Sequence, residues 1–64
     1  MAPRFSKMPT LGEFVAHTKR YGFTRRLVTF ESARLGRVTM IYLWRDVVET
    51  LCRQLGIPGE DFGL

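Results

Sequence analysis

A single cysteine and a single histidine leave this chain almost none of the ligands that disulfide frameworks and zinc sites use. One cysteine cannot close an internal disulfide, and one of each falls short of the three or four ligands that zinc takes. No metal and no cofactor is expected. No apolar run approaches the ~18 residues that a membrane span needs, and the N-terminus lacks a signal-peptide core. The expectation is a cytoplasmic protein with no membrane partner. There is no glycine-rich phosphate loop. A catalytic role for His17, the only histidine, would need a partner base, acid or orienting group. With no catalytic constellation, the sequence points away from an enzyme.

What is present is enough for one small domain. The chain has 64 residues, of which 45% are hydrophobic and 25% charged, too apolar a mixture for a disordered tail. Its net charge is +4, and the charge is unevenly placed. Residues 1–37 hold eight of the ten cations and two of the six acids, so the first part is basic and the remainder mildly acidic. Eight of the cations are arginine, the side chain suited to bidentate contacts with phosphate or carboxylate. A polyanion such as RNA or DNA is one partner this implies. A basic surface that serves only solubility is the other reading.

Along the chain, residues 1–9 carry two prolines and no period, and read as an N-terminal arm ahead of a single domain over 10–62. Thr10 followed three residues later by Glu13 is a capping-box pattern that starts a helix. Leu11, Phe14, Val15 and Thr18 then lie on one helical face, and Gly22 suits its end. Phe23–Glu31 is rich in β-branched and aromatic residues and predicts a strand, although its odd and even positions are each half apolar, which leaves its buried face open. Residues 32–36 read as a turn, and Arg37–Trp44 as a second strand with Val38, Met40, Tyr42 and Trp44 on one face and Thr39, Ile41 and Leu43 on the other. Asp46, with Glu49 three residues on, repeats the capping pattern and opens a second helix, whose stripe is Val47, Val48, Leu51, Cys52 and Leu55. Gly56, Ile57 and Pro58 end it, and Phe62 is placed to fold back on the core.

The predicted fold class is therefore α+β, a two-layer helix–strand–strand–helix sandwich with an antiparallel hairpin covered on one face by two helices. Two short helices leave the other face of the hairpin open. This predicts a homodimer through the hairpin, with Val38, Met40, Tyr42 and Trp44 as candidate interface. His17, on the Glu13 side of its helix, reads as solvated, and Glu60 and Asp61 read as a solvated end. Cys52, inside an apolar stripe, reads as a buried structural thiol.

Two stretches carry a family resemblance. Arg37-Val-Thr-Met, followed by Val48-Glu-Thr-Leu-Cys-Arg-Gln-Leu-Gly-Ile-Pro-Gly-Glu-Asp-Phe62, resembles the end of HicA (YcfA-like) toxins, and Phe14-Val-Ala-His-Thr-Lys-Arg-Tyr-Gly-Phe23 is similar to that family's first helix. The resemblance spans about residues 11–62. It implies a fold like the double-stranded-RNA-binding domain, mRNA interferase activity and a neutralising antitoxin partner. The family's active histidine sits in a Gly-Ser-His motif on its first strand. The corresponding segment here, Arg25–Ser32, holds no histidine, and His17 does not match it, so nuclease activity is not implied.

These readings converge on a small basic domain that binds nucleic acid, RNA foremost, without cleaving it. Lys19, Arg20, Arg25, Arg26, Arg34 and Arg37 are the candidate contacts. The alternative is a protein-interaction module, of the antitoxin or phage-inhibitor type, that docks a protein partner on its exposed strand face.

Overall fold

Thr10 begins the first helix by the reciprocal contact its spacing predicts. Its backbone is extended, its hydroxyl accepts from the Glu13 amide at 3.1 Å, and its own amide donates to Glu13 Oε1 at 2.9 Å. In the computed structural model, which describes residues 8–64, this helix is α1, Leu11–Thr18. Residues 1–7 of the expected arm lie outside the described residues. Met8 and Pro9 belong to the packed domain: Pro9 is fully buried and Met8 lies against the core. Phe14, Val15, His17 and Thr18 form the buried face of α1. The chain then tightens into a 3₁₀ turn, Lys19–Tyr21, and reverses at Gly22, whose φ of 87° lies in the left-handed region that glycine reaches without a Cβ clash.

The next segment departs from the sequence expectation. Residues 25–35 are not a strand and a turn but a second helix, α2, Arg25–Leu35. Thr24 caps it, with its hydroxyl accepting from the Leu27 amide at 3.2 Å, and Gly36 closes it with a left-handed φ of 64°. The buried members are Val28 and Ser32, with Glu31 and Leu35 half-buried. Spacings of three and four define one helical face. Two of the four are polar, so no apolar stripe marks the helix in the sequence. A cap at each end and good helix formers (Arg, Leu, Ala) outweigh the β-propensity of Val28, Thr29 and Phe30.

Once 25–35 is helical, residues 37–44 have no strand to pair with. They form a loop that folds on itself, with one isolated antiparallel bridge, Val38 to Leu43. The Thr39 hydroxyl donates to the Tyr42 carbonyl and accepts from the Ile41 and Tyr42 amides, and the Leu43 amide donates to the Pro9 carbonyl at 2.8 Å. Among the described residues there is no strand and no sheet. The α+β sandwich, its hairpin, and the double-stranded-RNA-binding fold implied by the HicA resemblance are thus replaced by three helices.

The third helix, α3, runs Arg45–Leu55 and buries Val47, Val48, Leu51 and Cys52. Its cap differs from the expectation. Trp44 holds the cap position without a side-chain bond, while Asp46 lies in the first turn and pairs with Arg37. A carboxylate there also suits the helix dipole. Glu49 pairs with Arg53 one turn on, at 3.1 Å, instead of closing a capping box. At the far end the Ile57 amide donates to the Cys52 carbonyl at 2.9 Å and Ile57 is buried, which forms the hydrophobic clasp.

α1 packs on α2 and α2 on α3, and a second 3₁₀ turn, Gly59–Phe62, packs on α3. The core joins Phe14 and Val15 of α1, Val28 of α2, Leu43 of the loop, the four buried residues of α3, Ile57 and Phe62. Phe62 stacks on Phe14 with ring centroids 5.1 Å apart. Each such side chain contributes about 1.5–3 kcal/mol by leaving water, so the C-terminal turn is an integral part of the core. No helix among the described residues is long and apolar enough to cross a membrane.

Candidate interaction surfaces

The six cations read as a nucleic-acid surface are all exposed, but they do not form one grouping on a hairpin. Lys19 and Arg20 lie in the 3₁₀ turn after α1, and Arg25 and Arg26 in the first turn of α2. No acidic residue accompanies Arg25 and Arg26 in that turn. Arg34 sits in the last turn of α2, where it pairs with Glu31 at 3.5 Å and lies 5.9 Å over the ring of Phe30. Arg37 is engaged within the loop, paired with Asp46 and 5.6 Å over the ring of Trp44. The strand-borne arginine and aromatic platform inferred from the sequence therefore does not exist. Arg37 braces Trp44, and Tyr42 is half-buried.

The candidate interface residues occupy the 37–44 loop. Val38 and Trp44 are close to half exposed, Ile41 more so, and Met40 is fully exposed. Leu43, assigned by alternation to the same face as Ile41, is buried in the core instead. The loop thus has an apolar tip on a firm base: Leu43 anchors it, Thr39 closes it, and Arg37 ties its two ends together through Trp44 and Asp46.

A second exposed apolar group lies on α2. Leu27 is 40% and Phe30 59% exposed, on the side of the helix turned away from Val28 and Ser32. With Thr24 and Arg26 they line a shallow cleft of about 350 Å³. Nothing in the alternating pattern of Phe23–Glu31 signalled this pairing. Helical spacing alone puts Arg26, Leu27, Phe30 and Arg34 on neighbouring positions.

Two titratable side chains that the sequence reading leaves in solvent are buried instead. His17 is 5% exposed and Asp61 6%. The Nε2–H of His17 donates to Asp61 Oδ2 at 2.8 Å, and the Tyr21 hydroxyl donates to the same oxygen at 2.6 Å. These two bonds, from Tyr21 first and His17 second, hold the Asp61 carboxyl below the usual carboxylate range. In return Asp61 raises the Tyr21 phenol. The His17 ring meets Phe62 edge-on, with centroids 5.0 Å apart. A burial this complete gives no substrate access to the imidazole; the arrangement fastens the C-terminal turn to α1 and its 3₁₀ extension. Among the described residues no group of three or more His, Cys, Asp or Glu is placed to hold a metal ion.

No family model, curated protein or solved structure matches the chain, so its function is read from this geometry.

Proposed function

We propose that this domain is a protein-interaction module that assembles with a second copy of itself through the 37–44 loop. The observation that carries this is the exposure of Val38, Met40, Ile41 and Trp44 on a loop closed on itself by hydrogen bonds to the Thr39 hydroxyl. Exposed, preorganised apolar and aromatic side chains are the groups that dominate protein interfaces, because little ordering entropy remains to be lost on contact. Charge supports a second copy as the occupant. Arg37, the cation inside the loop, is balanced by Asp46, so a two-fold contact brings no bare Arg37 against its equivalent.

Light scattering of the native chain over a micromolar series tests this. The expected mass is twice 7.4 kDa. Met40→Glu combined with Ile41→Glu gives a folded monomer, since both side chains point to solvent. A native chain that stays monomeric as concentration rises, or a dimer that persists with both substitutions in place, removes the proposal.

A further inference from the structure

We infer that the outer face of α2 is a second docking surface, one that takes an acidic, apolar segment of a different protein. An ordinary surface helix turns its polar side to water. α2 instead turns Leu27 and Phe30 outward, while the residues it buries include Ser32 and, in part, Glu31. Phe30 is the most exposed aromatic among the described residues, and the Arg34 guanidinium lies 5.9 Å over its ring. Leu27 and Phe30 share the shallow cleft with Arg26 and Thr24. The surface is thus an apolar strip with a cation on either side, Arg26 and Arg34.

Charge complementarity selects the occupant. α2 carries Arg25, Arg26 and Arg34 against the one acid Glu31, and no carboxylate among the described residues pairs with Arg25 or Arg26. A second copy brought up on a two-fold axis sets these arginines against themselves, which is repulsive. A duplex nucleic acid offers phosphates to the arginines but little apolar surface to Leu27 and Phe30. A helix with leucine or phenylalanine anchors, edged by aspartate and glutamate, satisfies both sets at once: its anchors cover Leu27 and Phe30, and its carboxylates meet Arg26 and Arg34.

The test uses the full chain, labelled with nitrogen-15, and synthetic peptides of about 16 residues with leucine at helical spacing. One peptide carries glutamate between the leucines, a second carries lysine there, and a third keeps the glutamates but has serine for leucine. The expected result is that only the first binds, shifting amide resonances concentrated in residues 24–34. Phe30→Glu, and separately Arg26→Glu with Arg34→Glu, weaken that binding by about tenfold or more. Phe30→Ser, a milder change at an exposed position, weakens it in the same direction, and circular dichroism verifies that each variant is helical. Met40→Glu with Ile41→Glu leaves peptide binding intact, which separates this surface from the loop.

Binding of the lysine peptide, equal binding by the Phe30 variants, or no binding of the glutamate peptide at millimolar concentration overturns the inference. So does dissociation of a dimer by Phe30→Glu, which assigns the face to a second copy. Oligonucleotide binding that is lost with Arg26→Gln and Arg34→Gln yet indifferent to Phe30→Ser assigns it to nucleic acid.

Discussion

His17 and Asp61, forty-four residues apart in the chain, meet at 2.8 Å inside the protein and close the structure end to end. The contact joins α1 to the turn that carries Phe62, and Phe62 is itself stacked on Phe14. Removing the carboxylate leaves the buried His17 donor without its acceptor, which costs more than the bond itself contributes. Asp61→Ala is therefore expected to destabilise the fold by about 2–4 kcal/mol, and Asp61→Asn, which keeps an oxygen acceptor, by less. A domain of this length holds only about 3–10 kcal/mol in all, so the alanine variant is close to unfolding. Urea denaturation followed by circular dichroism measures the difference. A midpoint unchanged from the native chain in Asp61→Ala contradicts the clasp.

The same cluster sets a pH profile with two limbs. Asp61 titrates below its ordinary range in the folded chain because Tyr21 and then His17 donate to it. Its stabilisation is complete above the unfolded carboxylate range and is lost as pH falls through the folded value. Tyr21 is shifted the opposite way, raised chiefly by its bond to Asp61. That contribution is present below the ordinary phenol range and is lost as pH rises through the folded value. Melting temperature is therefore expected to fall at both the acid and the alkaline end. Tyr21→Phe reduces the alkaline limb to the part that the buried Cys52 thiol, raised to about 11, contributes, and weakens the acid limb, because the largest cause of the Asp61 shift is gone. An alkaline limb of undiminished size in Tyr21→Phe assigns it to Cys52 and away from Tyr21.

How much of this was legible in the sequence depends on whether the signal is local. The start of α1 was, because the Thr10–Glu13 contact closes over three residues. The α3 stripe was, because Val47, Val48, Leu51 and Cys52 are all apolar and all buried. α2 was not. Its inward face mixes Val28 with Ser32 and Glu31, while Leu27 and Phe30 face water, so its apolar residues follow the outside as much as the inside. That pattern imitates a strand with no settled face, and the ambiguity of Phe23–Glu31 was itself the sign. The loop was misread by consequence, since a strand at 37–44 needs a partner that α2 does not supply. The burial of His17 had no local signal at all, because its partner lies on the last turn of the fold.

Ser32 tests the α2 register directly. Its hydroxyl is buried and has no hydrogen-bond partner among the described residues. A polar group left so is a cost, and alanine is also the better helix former. Ser32→Ala is expected to be neutral or to stabilise by up to about 1 kcal/mol, whereas Ser32→Asp puts a charge into the core and unfolds the domain. Thermal melts of the two variants measure this. A strand with Ser32 in a solvated turn predicts instead that both are harmless.

Cys52 provides a chemical probe of the packing between α3 and the C-terminal turn. Its residue is 3% exposed, and burial first, with the Asp61 charge second, pushes the thiol up to about 11. The thiolate is the reactive form, so at neutral pH the native chain presents almost none of it and shields what there is. Reaction with a disulfide reagent at pH 8 is expected to be slow in the folded chain and fast in guanidinium. Because the turn that carries Asp61 packs on α3, Asp61→Ala is expected to raise the native rate by loosening the cover, and also by removing a nearby negative charge that holds the thiol pKa up. The two effects act in the same direction on the thiol, one by access and one by pKa. They are separated by the pH dependence of the rate: a pKa change moves the titration midpoint, while loosening raises the rate at every pH. A folded chain that reacts as fast as the denatured one places Cys52 at the surface and breaks the α3 register on which the core is built.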